Sequence, residues 1–393
     1  MKFAGIICEY NPIHLGHVYQ IEATRRILGE DCPIICAMSG NFVQRGDVSV
    51  FSKFSRAEAS VRSGADLVIE LPEYVSLASA EGFARGGVEI LNALGVCSHI
   101  SFGSEAGDIG LLRRTADILL SREFENNLAS ELEKGDSFAA ARERAVGKIS
   151  PECTAALSRP NNILAAEYLK ALITTGSGME PVTVLRTGGE HDGEKGLSAS
   201  ALRRGFFSGA PRWELMPEPA VEVFKKEIAS GRGPVSINSY NQAIMYRLRT
   251  MSREEYERLP GASEGLGLRL MKCAASQADV QKILEKTKTK RYAMSRIRRM
   301  VMCAFLGINA EDMGQKPEYI RVLAAGKRGQ ECLREIKKRG ALPLLIKPAA
   351  GLKGDFPGKS GFARQCRMTD LYALGFSGGS PGMELRTSPY MEK

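Results

Sequence analysis

Long apolar runs are absent from this sequence. No run approaches the ~18 residues that a membrane span needs. Glu9 closes the N-terminal apolar run after a few residues, which is too early for the core of a signal peptide. These absences predict a protein that neither spans a membrane nor enters a secretory pathway.

Cysteines are scattered, and no two of them form a Cys-x-x-Cys pair. Nine cysteines, an odd number without a spaced framework, argue against a disulfide scaffold and against a zinc site. We therefore expect reduced thiols, a cytoplasmic location and no protein-bound metal ion.

Histidine is scarcer still, since the chain has four, and two of them lie in the tetrad His14-Leu15-Gly16-His17. An apolar run over residues 3–8 predicts a buried strand, and Pro12 ends it because proline has no N–H to donate. Apolar residues then recur at helical spacing as far as Gly29. The tetrad is thus predicted at the N-terminus of a helix, where free N–H groups and the helix dipole favour a phosphate.

Both imidazoles of the tetrad can donate hydrogen bonds to phosphate oxygens, and Gly16 has no Cβ to keep a nucleotide from the backbone. The alternative interpretation is a helix start that happens to contain two histidines. The full context of strand, Asn-Pro, tetrad and helix favours nucleotide binding.

Strands and helices alternate along the first half of the chain. Further strands are predicted over residues 33–39, 66–71, 99–102 and 181–186, and helices over 55–63, 78–94, 108–148 and 163–174. This is the spacing of βαβ units, so residues 1–210 are predicted to form a catalytic domain with a doubly wound parallel sheet, an α/β fold.

Polar residues follow two of these strands, at the edge where such sheets bind ligands. Arg45 lies in the loop after the second strand, and with Lys53 it is a candidate contact for a phosphate or a carboxylate. The alternative for both is a solvated loop with surface charges. Gly103 follows the fourth strand, where a backbone could approach a base.

Two more segments have a structural and a functional interpretation. Asn161 and Asn162 could cap a helix or contact an adenine or a ribose. Ser198 and Ser200 could cap the next helix or, with Arg203, hold the β- and γ-phosphates.

The net charge of +9 is distributed unevenly. Residues 1–150 carry a net charge of −5, residues 151–234 are neutral, and residues 235–393 carry +14. After a linker at 231–234, helices are predicted over 237–258, 264–286 and 293–306. We therefore expect a basic, mainly helical domain at 235–376, followed by a disordered tail at 377–393.

A polyanion is the expected partner of this basic half. Residues 281–300 hold eight Lys/Arg and one Glu. RNA needs cations for its phosphates and aromatic platforms for its bases. The alternative is a solvated basic helix. The candidate RNA contacts are Lys288, Lys290, Arg291, Tyr292, Arg296 and Arg299.

Motifs along nearly the whole chain are similar to those of the bacterial tRNA(Met) cytidine acetate ligases, in the nucleotidyltransferase superfamily. In chain order they are GIICEYNPIHLGH at 5–17, MSGNFVQRG at 38–46, DLVIELP at 66–72, FGSE at 102–105, PNNIL at 160–164, KTKRY at 288–292 and LYALGF at 371–376. Residues 197–203 also resemble a second superfamily signature, Ile-Ser-Ser-Thr-x-Ile-Arg, from which Ala199 departs.

The resemblance implies an enzyme that uses ATP, with Mg²⁺, to join acetate to N4 of the wobble cytidine of elongator tRNA(Met). It implies an acetyl-adenylate intermediate and release of AMP and pyrophosphate. The sequence itself gives no sign of a stable protein partner. The resemblance also implies catalytic roles for His14 and His17. The ATP contacts that it implies are Ile7, Glu9, Tyr10, Asn11, Pro12, His14, Gly16, His17, Gln20, Gly103, Asn161, Asn162, Arg186, Ser198, Ser200 and Arg203.

Two other functions compete with this one. A nucleotidyltransferase that acts on a small phosphate ester would share the tetrad, although such chains are usually shorter and lack a basic domain. A non-catalytic RNA-binding adaptor could retain nucleotide binding as a relic. Carboxylate-dependent release of pyrophosphate from ATP would separate the three.

Overall fold

A computed structural model describes residues 2–135, 137–186, 198–379 and 381–393. The strands are β1 Ala4–Cys8, β2 Ile34–Ser39, β3 Phe42–Val43, β4 Asp47–Val48, β5 Leu67–Leu71, β6 His99–Ser104, β7 Glu180–Leu185, β8 Ile320–Ala325, β9 Leu344–Leu345 and β10 Tyr390–Met391.

Helices connect and cover these strands. The helices of the first half are α1 Leu15–Leu28, α2 Lys53–Arg62, α3 Glu73–Ser76, α4 Ala80–Ala93, α5 Ile109–Leu119, α6 Arg122–Leu132, α7 Phe138–Gly147, α8 Pro151–Leu157 and α9 Pro160–Thr174. Those of the second half are α10 Ala199–Phe207, α11 Glu218–Ala229, α12 Asn241–Thr250, α13 Arg253–Glu257, α14 Leu266–Ser276, α15 Val280–Thr287, α16 Met294–Leu306, α17 Lys327–Arg339, α18 Lys359–Ala373 and α19 Met383–Arg386. Short 3-10 helices lie at Trp213–Leu215, Ile237–Tyr240, Ala310–Asp312 and Pro348–Leu352.

One mostly parallel sheet has the strand order β10-β8-β5-β2-β1-β6-β7, with β9 beside β8. The central strands β1, β2 and β5 are buried along their whole length because helices cover both faces. The predicted α/β fold is therefore confirmed. The chain runs from β1 to β2 on one side, and later to β6 on the other. This reversal opens a crevice at the carboxyl end of β1, where open sheets bind their ligands.

The second half of the chain contributes strands to this sheet, whereas the sequence predicts a separate, mainly helical domain there. Strand β8 pairs antiparallel with β5, and β10 pairs with β8. Arg321 interrupts the apolar run of β8, so the sequence gives no clear strand signal there. Inside the fold, the Glu384 carboxylate binds the Arg321 side chain. Helices do predominate elsewhere in 235–376.

The tail predicted to be disordered is also part of the fold. It contains α19 and β10, and the Glu384 side chain is fully buried. The prediction from its glycine, serine and proline content is wrong because one buried carboxylate ties the segment to Lys53 and Arg321.

Two large apolar clusters cover the two faces of the sheet. One of them joins Ile6 and Met38 of the first half to Ile297 and Tyr372 of the second, so the two halves share a core. The other packs α4, α9 and α17 against the opposite face. Within the described ranges, no helix is long and apolar enough to cross a membrane.

Candidate nucleotide-binding site

The turn after β1 has a fixed and unusual conformation. Tyr10 has φ 42°, a left-handed conformation that non-glycine residues rarely adopt. The Tyr10 hydroxyl lies 3.6 Å from Cys36 Sγ, and its ring centroid lies 4.8 Å from that of His17. Asn11 Oδ1 accepts a 2.8 Å hydrogen bond from the backbone N–H of Val50. These contacts hold the turn against the N-terminal end of α1.

Two backbone hydrogen bonds fix the tautomers of the tetrad. Gly16 N–H donates to His14 Nδ1 at 3.1 Å, and His14 N–H donates to His17 Nδ1 at 3.2 Å. Each Nδ1 is therefore an acceptor, so the proton of each neutral ring lies on Nε2. The rings are stacked, with centroids 3.7 Å apart. The tetrad thus presents Nε2–H donors at the start of a helix that has no acidic residue in its first turn.

Both imidazoles are neutral at physiological pH. Burial, with a contribution from Arg186, lowers the pKa of His14 to about 4. Burial, His14 and Arg186 lower the pKa of His17 well below its usual value. The histidines are therefore hydrogen-bond donors, and the positive charge at the site comes from Arg186, Arg45 and the helix dipole.

A cavity of about 480 Å³ opens beside the tetrad. It lies at the carboxyl ends of β1 and β6, as the strand order requires. The predicted residues that line it are Ile7, Glu9, Tyr10, Asn11, His17, Gln20, Arg45, Gly103, Asn161 and Arg186. At Gly103, a Cβ would lie 3.2 Å from Arg186 Cγ, so any larger residue would press on that arginine.

Apolar side chains form one wall of the cavity, and no sequence pattern identifies them as site residues. This wall consists of Phe83, Phe102, Ile163, Leu164 and Tyr168. The Phe102 and Tyr168 ring centroids are 5.5 Å apart. Leu164 and Tyr168 recur at i and i+4, a spacing that is the same for a core face and for a ligand wall. The sequence therefore offered no signal to distinguish the two.

Some predicted contacts lie behind the lining rather than in it. His14 is buried and stacks on His17, Pro12 belongs to the turn before α1, and Gly16 lies in the first turn of that helix. Asn162 uses its whole amide within the protein, since its Oδ1 accepts from Ala106 N–H and its Nδ2 donates to Ala156 O. Asn162 therefore positions the loop after β6.

The second signature is tied to the first by direct contacts. Arg203 donates to the carbonyl of Asn11 at 2.8 Å and to Ser200 Oγ at 3.0 Å. Ser198 caps α10 by accepting from Ala201 N–H. Ala199, which departs from the signature, lines the cavity. Leu197 and His191 lie outside the described residues.

Lys53 is not a ligand contact, and that prediction is wrong. Its side chain is fully buried, and its Nζ lies 2.7 Å from Glu70 Oε1 and 2.5 Å from Glu384 Oε2. Thr369 Oγ1 and Arg321 Nε also bind Glu384. Two carboxylates therefore neutralise Lys53, and Arg45 is the cation of that region which faces the cavity.

The basic segment reaches the cavity, but Tyr292 is not an exposed platform. Tyr292 is 8% exposed, its hydroxyl donates to Glu264 O, and the Arg296 guanidinium lies 5.6 Å from its ring centroid. The prediction that Tyr292 stacks on a base is therefore wrong. Lys288, Lys290 and Arg291 are exposed.

Helix α16 follows this segment and touches the nucleotide half. Arg299 Nη1 donates to the carbonyl of Gln44 at 3.4 Å. Ser295, in the first turn of α16, lines the cavity. The basic region therefore borders the cavity. Tyr246 on α12, which was not predicted as a contact, is 72% exposed.

Comparisons with known proteins agree with this geometry. The family described as HIGH Nucleotidyl Transferase matches residues 1–382. Proteins named tRNA(Met) cytidine acetate ligase are similar, from Acetivibrio thermocellus (34% identity, 95% of each chain) and Caldicellulosiruptor saccharolyticus (38% identity, 86% of each chain). A crystal structure of Thermotoga maritima TmcAL bound with alpha-thio ATP has a TM-score of 0.91 and 33% identity over 100% of both chains. The chain therefore belongs to the HIGH nucleotidyl transferases and, among them, to the family of the tRNA(Met) cytidine acetate ligases.

Proposed function

We propose that this protein uses ATP to acetylate N4 of the wobble cytidine of elongator tRNA(Met), through an acetyl-adenylate. The observation that carries the proposal is the stacked pair of neutral histidines at a helix N-terminus, beside a cavity that the basic half of the chain also lines. The names of the similar proteins supply the acceptor, and the ATP analogue in one of them supports the nucleotide.

The cavity suggests how ATP would lie. The apolar wall around Phe102 and Leu164 suits the adenine, and Gly103 lies beside Phe102 in the same lining. The triphosphate would then extend toward His17 and the N-terminus of α1. Arg186 and Arg45 would balance its charge.

Magnesium would enter with the nucleotide. Among the described residues there is no group of three or more His, Cys, Asp or Glu side chains that could hold a metal ion. An ion would therefore be bound chiefly by phosphate oxygens and water, as Mg²⁺ commonly is, and would shield the triphosphate.

In the first step, a carboxylate oxygen of acetate attacks the α-phosphorus and the bond to pyrophosphate breaks. The protein contributes positioning and charge stabilisation. The Nε2–H of His17 would donate to an oxygen that gains charge, and His14 would hold the His17 ring by stacking. Ser198, Ser200 and Arg203 would form the pyrophosphate end of the site, as the second signature implies.

In the second step, the exocyclic amine of cytidine attacks the acetyl carbonyl and AMP leaves. The RNA would approach along the exposed cations Lys288, Lys290 and Arg291, which adjoin α16. Because Ser295 lies at the cavity, a nucleotide held by this segment would be close to the adenylate. A tRNA substrate also agrees with the cytoplasmic location predicted from the cysteines.

Separating the two steps tests the proposal. Enzyme incubated with ATP, acetate and Mg²⁺ should release pyrophosphate and, after desalting, transfer acetyl to tRNA(Met) without free ATP. Mass spectrometry should locate N4-acetylcytidine at the wobble position. Formation of ADP and phosphate, or acetylation only with acetyl-coenzyme A, would refute the adenylate route. Turnover with a small phosphate ester instead would favour the first competing function, and no turnover of ATP would favour the adaptor.

A further inference from the structure

Glu9 is an anion in a cavity that is proposed to receive a triphosphate. It follows β1 directly and, among the described residues that line the cavity, it is the one carboxylate. A carboxylate repels phosphate oxygens, so its side chain is unsuited to bind the triphosphate. Its place in the site therefore needs a different chemical explanation.

The contacts of Glu9 leave half of its carboxylate available. Oε1 accepts a 2.8 Å hydrogen bond from Gln44 N–H. The backbone carbonyl of Glu9 accepts from the buried Arg56 guanidinium, which also binds the carbonyls of Ser39 and Phe51. No hydrogen bond within the described part of the chain engages Oε2. The backbone is thus rigidly held while one carboxylate oxygen stays unpaired.

Glu9 also lies on the side of the cavity from which RNA would enter. Its partner Gln44 precedes Arg45, and the Gln44 carbonyl accepts from Arg299 of the basic helix α16. Ser295 of the same helix lines the same cavity. The free oxygen is therefore adjacent to the junction between the nucleotide half and the basic half.

Carboxylates are natural partners of cytosine, because Asp and Glu accept hydrogen bonds from the cytosine N4 amine. We propose that Glu9 receives the N4 amine of the incoming cytidine and acts as the general base of acetyl transfer, an inference that rests on the proposed function. The N4–C bond to the acetyl carbon forms, and the bond from that carbon to the AMP oxygen breaks. AMP keeps the electron pair, and Oε2 takes the proton that N4 loses.

Glu9→Gln is a sharp test because Gln keeps a carbonyl oxygen for Gln44 N–H but cannot take the proton. Glu22→Gln on α1 is the matched control, since Glu22 is exposed and pairs only loosely with Arg26. Three rates are measured for each protein. They are acetate-dependent exchange of pyrophosphate with ATP, trapping of the adenylate by hydroxylamine, and single-turnover transfer of acetyl to tRNA(Met).

We expect Glu9→Gln to lower the ratio of tRNA transfer to adenylate formation by roughly 10²–10⁴-fold, the usual contribution of a general base. Hydroxylamine needs no such base, so acetohydroxamate should still form from the bound adenylate. Glu9→Asp should recover part of the transfer rate, and Glu22→Gln should match the wild type in all three assays.

Three results would overturn the inference. One is normal transfer by Glu9→Gln. Another is an equal loss of exchange and transfer, which would indicate a structural role. The third is a loss of exchange that higher Mg²⁺ restores, which would make Glu9 a magnesium ligand. If the wild type shows no acetate-dependent exchange, the proposed function itself has failed, which is a separate outcome.

Discussion

Two groups of polar side chains lie close together at the carboxyl edge of the sheet and differ in how their charges are used. In the cavity, His17, Arg186 and Arg45 line open space. In a fully buried cluster, Lys53 is enclosed by Glu70 and Glu384. Donors that no protein group satisfies are available for a ligand, whereas donors paired inside the fold contribute to its stability. Residue type alone does not separate the two cases.

The largest effect is expected in the buried cluster. Lys53→Met leaves the buried Glu70 carboxylate without its cation and leaves Glu384 with Arg321 alone, and breaking such a buried pair costs about 3–5 kcal/mol of unfolding free energy. Lys134→Met is the control, since the Lys134 side chain is 56% exposed and its buried partner Glu131 keeps Arg144 and Lys148, so we expect a loss of only about 0–1 kcal/mol. Urea unfolding measures both. Unchanged stability together with lost ATP binding would mean that Lys53 contacts the ligand rather than stabilising the fold.

A catalytic effect of nearly the same size is expected in the cavity. His17→Ala removes one donor to developing phosphate charge, so the rate of adenylate formation should fall by roughly 10²–10³-fold. The unfolding free energy should change far less than in Lys53→Met, because the His17 imidazole donates to no group within the described ranges and accepts one hydrogen bond, from His14 N–H. Pyrophosphate exchange and urea unfolding of the same sample test this contrast. A folded variant with normal exchange would contradict the site.

The buried His14 should also make the stability of the protein depend on pH. The pKa of His14 in the folded protein is about 4, below the usual 6.5, chiefly because the ring is buried. Above pH 6.5 the ring is neutral in both states. As the pH falls toward 4, the unfolded chain binds the proton first, so the unfolding free energy falls by up to roughly 3 kcal/mol.

His14→Asn keeps a side-chain acceptor for the Gly16 N–H and removes the titration. Urea unfolding of the ligand-free protein between pH 7.5 and pH 4.5 should therefore show a shallower loss of stability in this variant. Parallel curves for the two proteins would mean that His14 does not carry a lowered pKa.

The parts of the site that the sequence predicted are those that local chemistry determines. The tetrad, its helix and the turn before it lie in one contiguous segment, so their arrangement follows from local rules of capping and strand termination. Lys53 was misassigned because its partner Glu384 lies near the other end of the chain. Tyr292 was misassigned because the carbonyl that holds its hydroxyl belongs to Glu264, on another segment. These long-range contacts have no local signal.

The fold shows the same division. The parallel strands were predicted because each is an apolar run flanked by helices. Strand β8 was missed because Arg321 breaks its apolar pattern, and only the buried Glu384 makes that arginine acceptable. The wall residue Tyr168 has the periodicity of a core residue, and it becomes a lining residue only through the cavity that it faces.

The smallest effect is expected where charges face solvent, on the segment that leads to the cavity. Changing Lys288, Lys290 and Arg291 to Ala should weaken tRNA binding by roughly tenfold at physiological salt. It should also lower the slope of log affinity against log salt by about 2 to 3, because each phosphate contact contributes nearly one.

Changing Lys337, Lys338 and Arg339 on α17 removes the same charge from another exposed surface. If position matters, the first variant loses affinity and the second does not, whereas equal losses would mean that only net charge attracts the RNA. Adenylate formation without tRNA should stay normal in both, since none of these six side chains lines the cavity. A collapse of adenylation in the first variant, with RNA affinity unchanged, would show that the basic segment supports the cavity itself rather than guiding RNA to it.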